Sequence, residues 1–257
     1  GANRRGGRPS ASSSAGSWSS EPMKRRGFSL VEALVCLGLS LLVLMAAFEF
    51  FGITRSLFFK LKEAQEQNQA IQAALVKLRI DLLRAGYGLE APLRAGVVEG
   101  IDADGTSLLI LSRDETYTLV ADALPGEKRI SLEKVTGLSA GRRVCLAEEE
   151  KAEIHVIAAL EGTTAVLKEP LEASFQSAAA QFLLIEEVGY FLDERSRILR
   201  RKVNASPAQP LLDDAGLFAS VYQPTRNLIS VRLAGITNQE RIYELAVFPK
   251  NLGLVQR

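Results

Sequence analysis

The sequence predicts an α+β protein in which a long amino-terminal helix, its first half membrane-compatible and its second half amphipathic, packs on a predominantly antiparallel β-sheet domain. Three observations predict it. Phe28 to Phe51 is a nearly uninterrupted apolar run; apolar residues then recur at spacings of four and three as far as Leu82; beyond Pro92 the pattern changes to short β-rich runs separated by Gly, Pro and Asp. A helix followed by antiparallel strands buries its apolar stripe by lying on one face of the sheet. With 47% hydrophobic and 24% charged residues among 257, the composition is that of one globular domain with appendages.

Residues 1–27 form a basic leader. Residues 1–22 are rich in Ser, Gly, Arg and Ala and have too little apolar surface to offset the entropy of ordering, so disorder is expected. Met23 opens Met23-Lys24-Arg25-Arg26-Gly27, and translation is expected to start there, with residues 1–22 upstream of it. Before Phe28, Arg4, Arg5, Arg8, Lys24, Arg25 and Arg26 against Glu21 give +5, which leaves −4 on the rest of a chain of net charge +1. A mildly acidic body argues against nucleic acid as a partner, because phosphate contacts need concentrated Lys and Arg.

Residues 28–52 form the transmembrane half of the helix. At 1.5 Å per residue the apolar run is roughly 36 Å long, enough to cross a bilayer core. Basic residues lie on its amino side and none immediately follow it, so the amino terminus is expected in the cytoplasm and the body outside. Glu32 is the informative residue. An ordinary anchor avoids a carboxylate one turn into its apolar run, where it costs a few kcal/mol, so Glu32 requires a compensating partner. A secretory signal would be cut after its apolar core; here Gly27 precedes the core, and a cut there removes the leader and keeps the anchor.

Lys24-Arg25-Arg26-Gly27-Phe28-Ser29-Leu30-Val31-Glu32-Ala33 resembles the cleavage and methylation signal of type IV prepilins. The resemblance implies that prepilin peptidase cuts after Gly27, that Phe28 becomes the N-methylated amino terminus, and that Glu32 neutralises the amine of a neighbouring subunit during assembly. It also implies a pilin-like fold. Major pilins often carry a proline in this helix; none occurs between Phe28 and Ala91, which favours a minor subunit.

Residues 53–88 form the amphipathic half. Leu57, Leu61, Ala64, Ile71, Leu75, Leu78 and Leu82 make a helical seam with Asn68 on the same line, and Gly86 and Gly88 end it. A lone polar residue on such a seam fixes register in coiled coils, but the seam follows directly from the membrane span, which favours packing first on neighbouring helices and then on the protein's own sheet. Leu78 to Gly88 resembles the stretch that closes the helix in PilW-type minor pilins, and pseudopilin J of type II secretion has a comparable layout. Within it, Asp81 and Arg84 have the spacing of a surface pair.

Residues 89–257 form the β-rich extracytoplasmic domain. Strands are expected at 107–111, 117–121, 143–146, 154–158, 164–168, 181–186, 190–192, 198–202, 218–222, 228–233 and 243–248. Gly141 to Leu146 with the runs 154–157 and 166–170 resembles the middle strands of PilW-type proteins, with Arg142 where that family commonly has an acidic residue.

The body offers little chemistry. His155 is the only histidine, no nucleophile or acid motif accompanies it, and a structural role on a strand is expected. Cys36 and Cys145 are expected to remain unpaired; Cys145 and His155 together are too few ligands for zinc, so no metal or other cofactor is expected. Asp102-Ala103-Asp104-Gly105 lacks the closing glutamate of a calcium loop and reads as a turn. Glu148-Glu149-Glu150-Lys151 reads as a solvated loop. Arg195, Arg197, Arg200, Arg201 and Lys202 form a basic cluster that reads as a solvated strand face or protein interface, with DNA contact the alternative.

The resemblance implies a minor pilin, not an enzyme, that primes type IV pilus assembly and stays near the tip. The implied partners are the prepilin peptidase and methyltransferase, other minor pilins, the major pilin, a tip adhesin, the inner-membrane assembly platform and, before assembly, the membrane. The alternatives are a type II secretion pseudopilin, or a ligand-binding or enzymatic domain tethered by residues 28–51.

Overall fold

The computed structural model describes residues 29–236 and 241–253. The expected α+β fold is present: a long apolar helix is followed by a predominantly antiparallel β domain. The chain divides into two compact units, Gly1–Leu57 and Phe58–Arg257. Helix α1 runs from Leu30 to Leu83, and Ser29 caps it, its Oγ accepting from the Val31 amide at 3.3 Å. In the first unit every described residue is exposed. In the second, the seam turns inward: Ile71, Leu75, Leu78 and Leu82 are buried. Gly86 and Gly88 follow the last helical turn with φ of 71° and 68°, conformations that cost glycine nothing.

The body begins with the short helix α2 (Glu90–Arg94), and twelve strands follow among the described residues. These are β1 (Ile101–Ala103), β2 (Ser107–Thr118), β3 (Arg129–Ser131), β4 (Arg143–Glu148), β5 (Lys151–Glu161) and β6 (Thr164–Leu167). Then come β7 (Gln181–Asp193), β8 (Ile198–Val203), β9 (Gln209–Leu212), β10 (Ala215–Gln223), β11 (Leu228–Gly235) and β12 (Tyr243–Val247), with α3 (Lys250–Gly253) last. Nine strands form one sheet in the order β1-β2-β7-β4-β5-β6-β3, with β8 and β9 added beside β7; β10-β11-β12 form a second sheet. All pairings are antiparallel.

Four features of the β domain and its short helices differ from those expected from sequence. The runs 181–186 and 190–192 are one strand, β7, because Glu187, Val188 and Gly189 stay in register with β2. The expected strand 117–121 is the end of β2, which stops at Thr118. The short strands β1, β3 and β9 were not expected; three or four residues carry no readable alternation. Nor were α2 and α3, each about one turn long.

The long pair β2–β7 serves two cores. At one end Leu108, Ile110, Val188 and Tyr190 pack on the buried seam of α1, together with Phe218 and Val231 of the second sheet. A β-bulge between Arg113 and Glu115 then adds a residue to β2, so that Tyr117 lies on the same face as Phe182. Beyond the bulge the sheet curls until β3 meets β2: the Val120 amide donates to Ser131 O at 2.9 Å and the Glu133 amide to Thr118 O at 3.1 Å, pairing Leu119 with Leu132. Strands β2-β7-β4-β5-β6-β3 thus close into a six-stranded ring whose interior holds Tyr117, Val144, Leu146, Ile157, Phe175 and Phe182. Helix α2 covers the other face over Leu111, Cys145, Leu183 and Ile185.

Candidate functional site

Gly27 and Phe28, the residues of the expected cut and methylation, lie outside the described residues. The described part of the signal begins at Ser29 and passes directly into α1. Glu32 lies in the first turn, where a carboxylate complements the unsatisfied amides of the helix amino terminus. It is exposed, among Leu30, Val31, Leu34 and Val35, each more than half exposed. From Phe28 to Phe48 no other charged residue occurs. The helix is long and apolar enough to cross a membrane.

An apolar surface of this extent, uncovered along more than twenty residues, demands either lipid or other helices around it. A bilayer satisfies the leucines but leaves Glu32 costly; a neighbouring chain that brings a cation satisfies both. Chemically, such a segment suits lipid or a bundle of apolar helices, and Glu32 suits a cationic neighbour.

The seam residues fall into two groups. Leu57 and Leu61 are exposed, at 57% and 63%, whereas Ile71, Leu75, Leu78 and Leu82 are buried under the sheets. Asn68 lies where the seam begins to be covered, and the Tyr243 hydroxyl donates to its Oδ1. Asp81, read as a surface partner of Arg84, is instead buried. It accepts hydrogen bonds from the Tyr190 hydroxyl and from Arg201 Nε at 2.8 Å, with Lys77 Nζ 3.4 Å away. Arg84 pairs with Glu186 at 3.0 Å.

That network also breaks up the basic cluster read from the sequence. Arg201 stands opposite Tyr190 and turns towards the helix, while Arg200 stands opposite Phe191, on the other face, and pairs with Asp193 at 3.1 Å. Arg195, Arg197 and Lys202 are exposed. The cluster is therefore not one face, and the helix lock made by Arg201 has no signal in local sequence.

The remaining candidates resolve as parts of the fold. Register places His155 opposite Val144 and Cys145 opposite Ile154, so the two side chains point to opposite faces. His155 Nε2 shares a hydrogen bond with Glu153 Oε2 at 3.0 Å, and Glu153 accepts from the Glu172 and Ala173 amides. Both cysteines are free; burial pushes the Cys145 thiol up to about 12. Asp104 caps its turn by accepting from the Thr106 and Ser107 amides at 2.9 and 2.6 Å, and the Ser107 amide first of all lowers its pKa to about 2. The run 148–151 is corrected: Glu149 and Glu150 are exposed, but Glu148 accepts from the Gln176 amide at 3.0 Å and Lys151 donates to Ser174 O. No group of three or more His, Cys, Asp or Glu side chains able to hold a metal occurs among the described residues.

Residues 22–48 match the prokaryotic N-terminal methylation motif. That motif is the signal of type IV pilin-like and pseudopilin precursors for processing by prepilin peptidase, and with the apolar helix it is consistent with membrane anchoring. No curated protein matches the chain. Among solved structures, the Gp54 tailspike of Acinetobacter baumannii bacteriophage AP22, in complex with A. baumannii capsular saccharide, is similar over 30% of this chain and 15% of the tailspike. The identity is 11% and the TM-score 0.27, too slight to bear on fold or function.

Proposed function

We propose that the protein is a minor pilin of the PilW type: a subunit cut after Gly27, methylated on Phe28, held in the inner membrane by residues 28–51, and assembled with other minor pilins to prime a type IV pilus near its tip. Its amino terminus lies in the cytoplasm and its body in the periplasm before assembly. It is a substrate of the peptidase and methyltransferase, not an enzyme. One observation carries the reading: the methylation motif over residues 22–48 runs straight into an exposed apolar helix whose first and only early charge is Glu32. Glu32 costs a few kcal/mol in lipid, and docking against the new amine of a neighbour removes that cost, so the residue drives the subunit from membrane to filament. A type II secretion pseudopilin shares the same motif and would differ in its partners.

Mass spectrometry of the mature amino terminus from membrane and sheared-filament fractions tests the processing. N-methylated Phe28 is the expected result; an intact leader would remove the filament reading and restore a permanently tethered domain. Glu32→Ala is expected to leave cleavage largely intact but to lower incorporation into filaments, and normal incorporation would contradict the docking role.

A further inference from the structure

A half-open pocket of about 350 Å³ lies on the body where α2, the start of β1, the end of β10 and α3 meet. Leu93, Val98, Ile101, Tyr222, Pro224 and Leu252 give it apolar walls. The pocket is preformed. Leu252 packs so closely on Gly86 and Gly100 that a Cβ on either would collide with its side chain. The Tyr222 hydroxyl donates to Asn227 Oδ1 at 2.9 Å, and Asn227 Nδ2 donates to Pro249 O at 2.9 Å, which ties the Tyr222 wall to the chain that leads into α3. Glu99 is the only charged residue in the lining. It is exposed, and its carboxylate has no ion-pair partner among the described residues. Burial first, and the Glu99 charge second, raise the Tyr222 pKa, so the hydroxyl stays protonated with its hydrogen committed to Asn227. The lining side chains thus offer a ligand two acceptors, the Glu99 carboxylate and the Tyr222 oxygen, and no donor.

We infer that this pocket takes the side chain of one arginine from a partner polypeptide, the guanidinium against Glu99 and Tyr222 and the methylenes on the apolar walls. Acceptors without a donor call for a cationic donor, and apolar walls call for an apolar stem. Arginine supplies both: its planar fork matches a carboxylate, stacks on an aromatic face and is weakly hydrated. A lysine ammonium is a compact, strongly hydrated charge and loses more on entering such walls. The volume is at the small end of ligand sites, and a small-molecule site buries most of its ligand's surface; a half-open pocket of this size instead suits a side chain reaching in from a chain laid across the mouth. Every lining residue belongs to the unit Phe58–Arg257, so arginine binding holds whether or not the amino-terminal signal is processed.

The test is a titration of the full chain in lipid nanodiscs, isotope-labelled at its glycines and followed by NMR at the amides of the lining residues Gly96 and Gly100. The probe is acetyl-Ala-Arg-Ala-amide, compared with the same peptide carrying citrulline or lysine and with free butylguanidine. Saturable shifts of both amides are expected with the arginine peptide, and affinities at least about threefold weaker for the other three. Glu99→Gln is expected to weaken the arginine peptide by a similar factor, whereas Glu90→Gln, exposed and outside the lining, should leave it unchanged. No saturable shift, equal binding of the citrulline or lysine peptide, or an unaltered affinity in Glu99→Gln overturns the inference. Butylguanidine binding as tightly as the peptide assigns the pocket to a free cation, and tighter peptide binding in Arg257→Ala assigns it to the chain's own arginine; either overturns the partner polypeptide.

Discussion

A buried aspartate near the end of a helix persists only if its charge is answered, and Asp81 is answered by Arg201 and the Tyr190 hydroxyl. Burial first, and the adjacent Asp81 carboxylate second, raise the Tyr190 pKa, which keeps the hydroxyl protonated as a donor. Asp81→Ala leaves Arg201 and Tyr190 without their acceptor, and urea unfolding is expected to show a loss of about 2–3 kcal/mol. Arg84→Ala breaks only the Arg84–Glu186 pair, whose Arg is half exposed, and should cost about 0–1 kcal/mol. Equal losses in the two variants would contradict this division of labour. Local spacing joins Asp81 to Arg84, whereas Arg201 is 120 positions away. Arg200 and Arg201 are neighbours in sequence, yet adjacency on a strand separates side chains to opposite faces. Glu32 stands out in the sequence for the converse reason: the anomaly of a carboxylate in an apolar run is local.

At the scale of elements, the long helix and the longer strands are readable because each repeats its period several times, while a three-residue strand such as β3 exists only through its partners. The loop 168–180 shows the same dependence. It carries Phe175 into the ring interior and is held by carboxylates from elsewhere, Glu148 accepting from Gln176 and Asp122 from the Ser177 amide and hydroxyl at 2.7 Å. The Ser177 amide, first among its causes, holds Asp122 below the usual carboxylate range, and the Gln176 amide does the same for Glu148. A carboxyl whose folded pKa is depressed contributes stability above its unfolded pKa, and that contribution is lost as pH falls through the folded value. Loop anchorage should therefore be complete at neutral pH and be released below about pH 4. Amide resonances of Gln176 and Ser177 are expected to titrate with midpoints below those of free carboxyls. Flat profiles, or unshifted midpoints, would show that these carboxylates do not hold the loop.

On the scale of the molecule, ring closure was beyond the sequence, since it depends on Val120 and Glu133 meeting partners fixed by the curl of five other strand pairings. The helix-on-sheet layout was within reach because one seam and one sheet face suffice to specify it. The processing motif at residues 22–48 and the core built around Leu78 belong to different compact units. Because the motif shares no compact unit with that core, processing and folding should separate. Leu78→Ala empties a fully buried position against both sheets and is expected to lower the stability of the body by about 3 kcal/mol. The fraction of surviving chains that carry N-methylated Phe28 should nevertheless equal that of the wild type, while incorporation into filaments falls with the loss of folded body. The ratio of processed to unprocessed chain, measured by mass spectrometry alongside urea unfolding, separates these effects. A processed fraction that declines in step with stability would mean that the peptidase reads the folded domain as well as the motif.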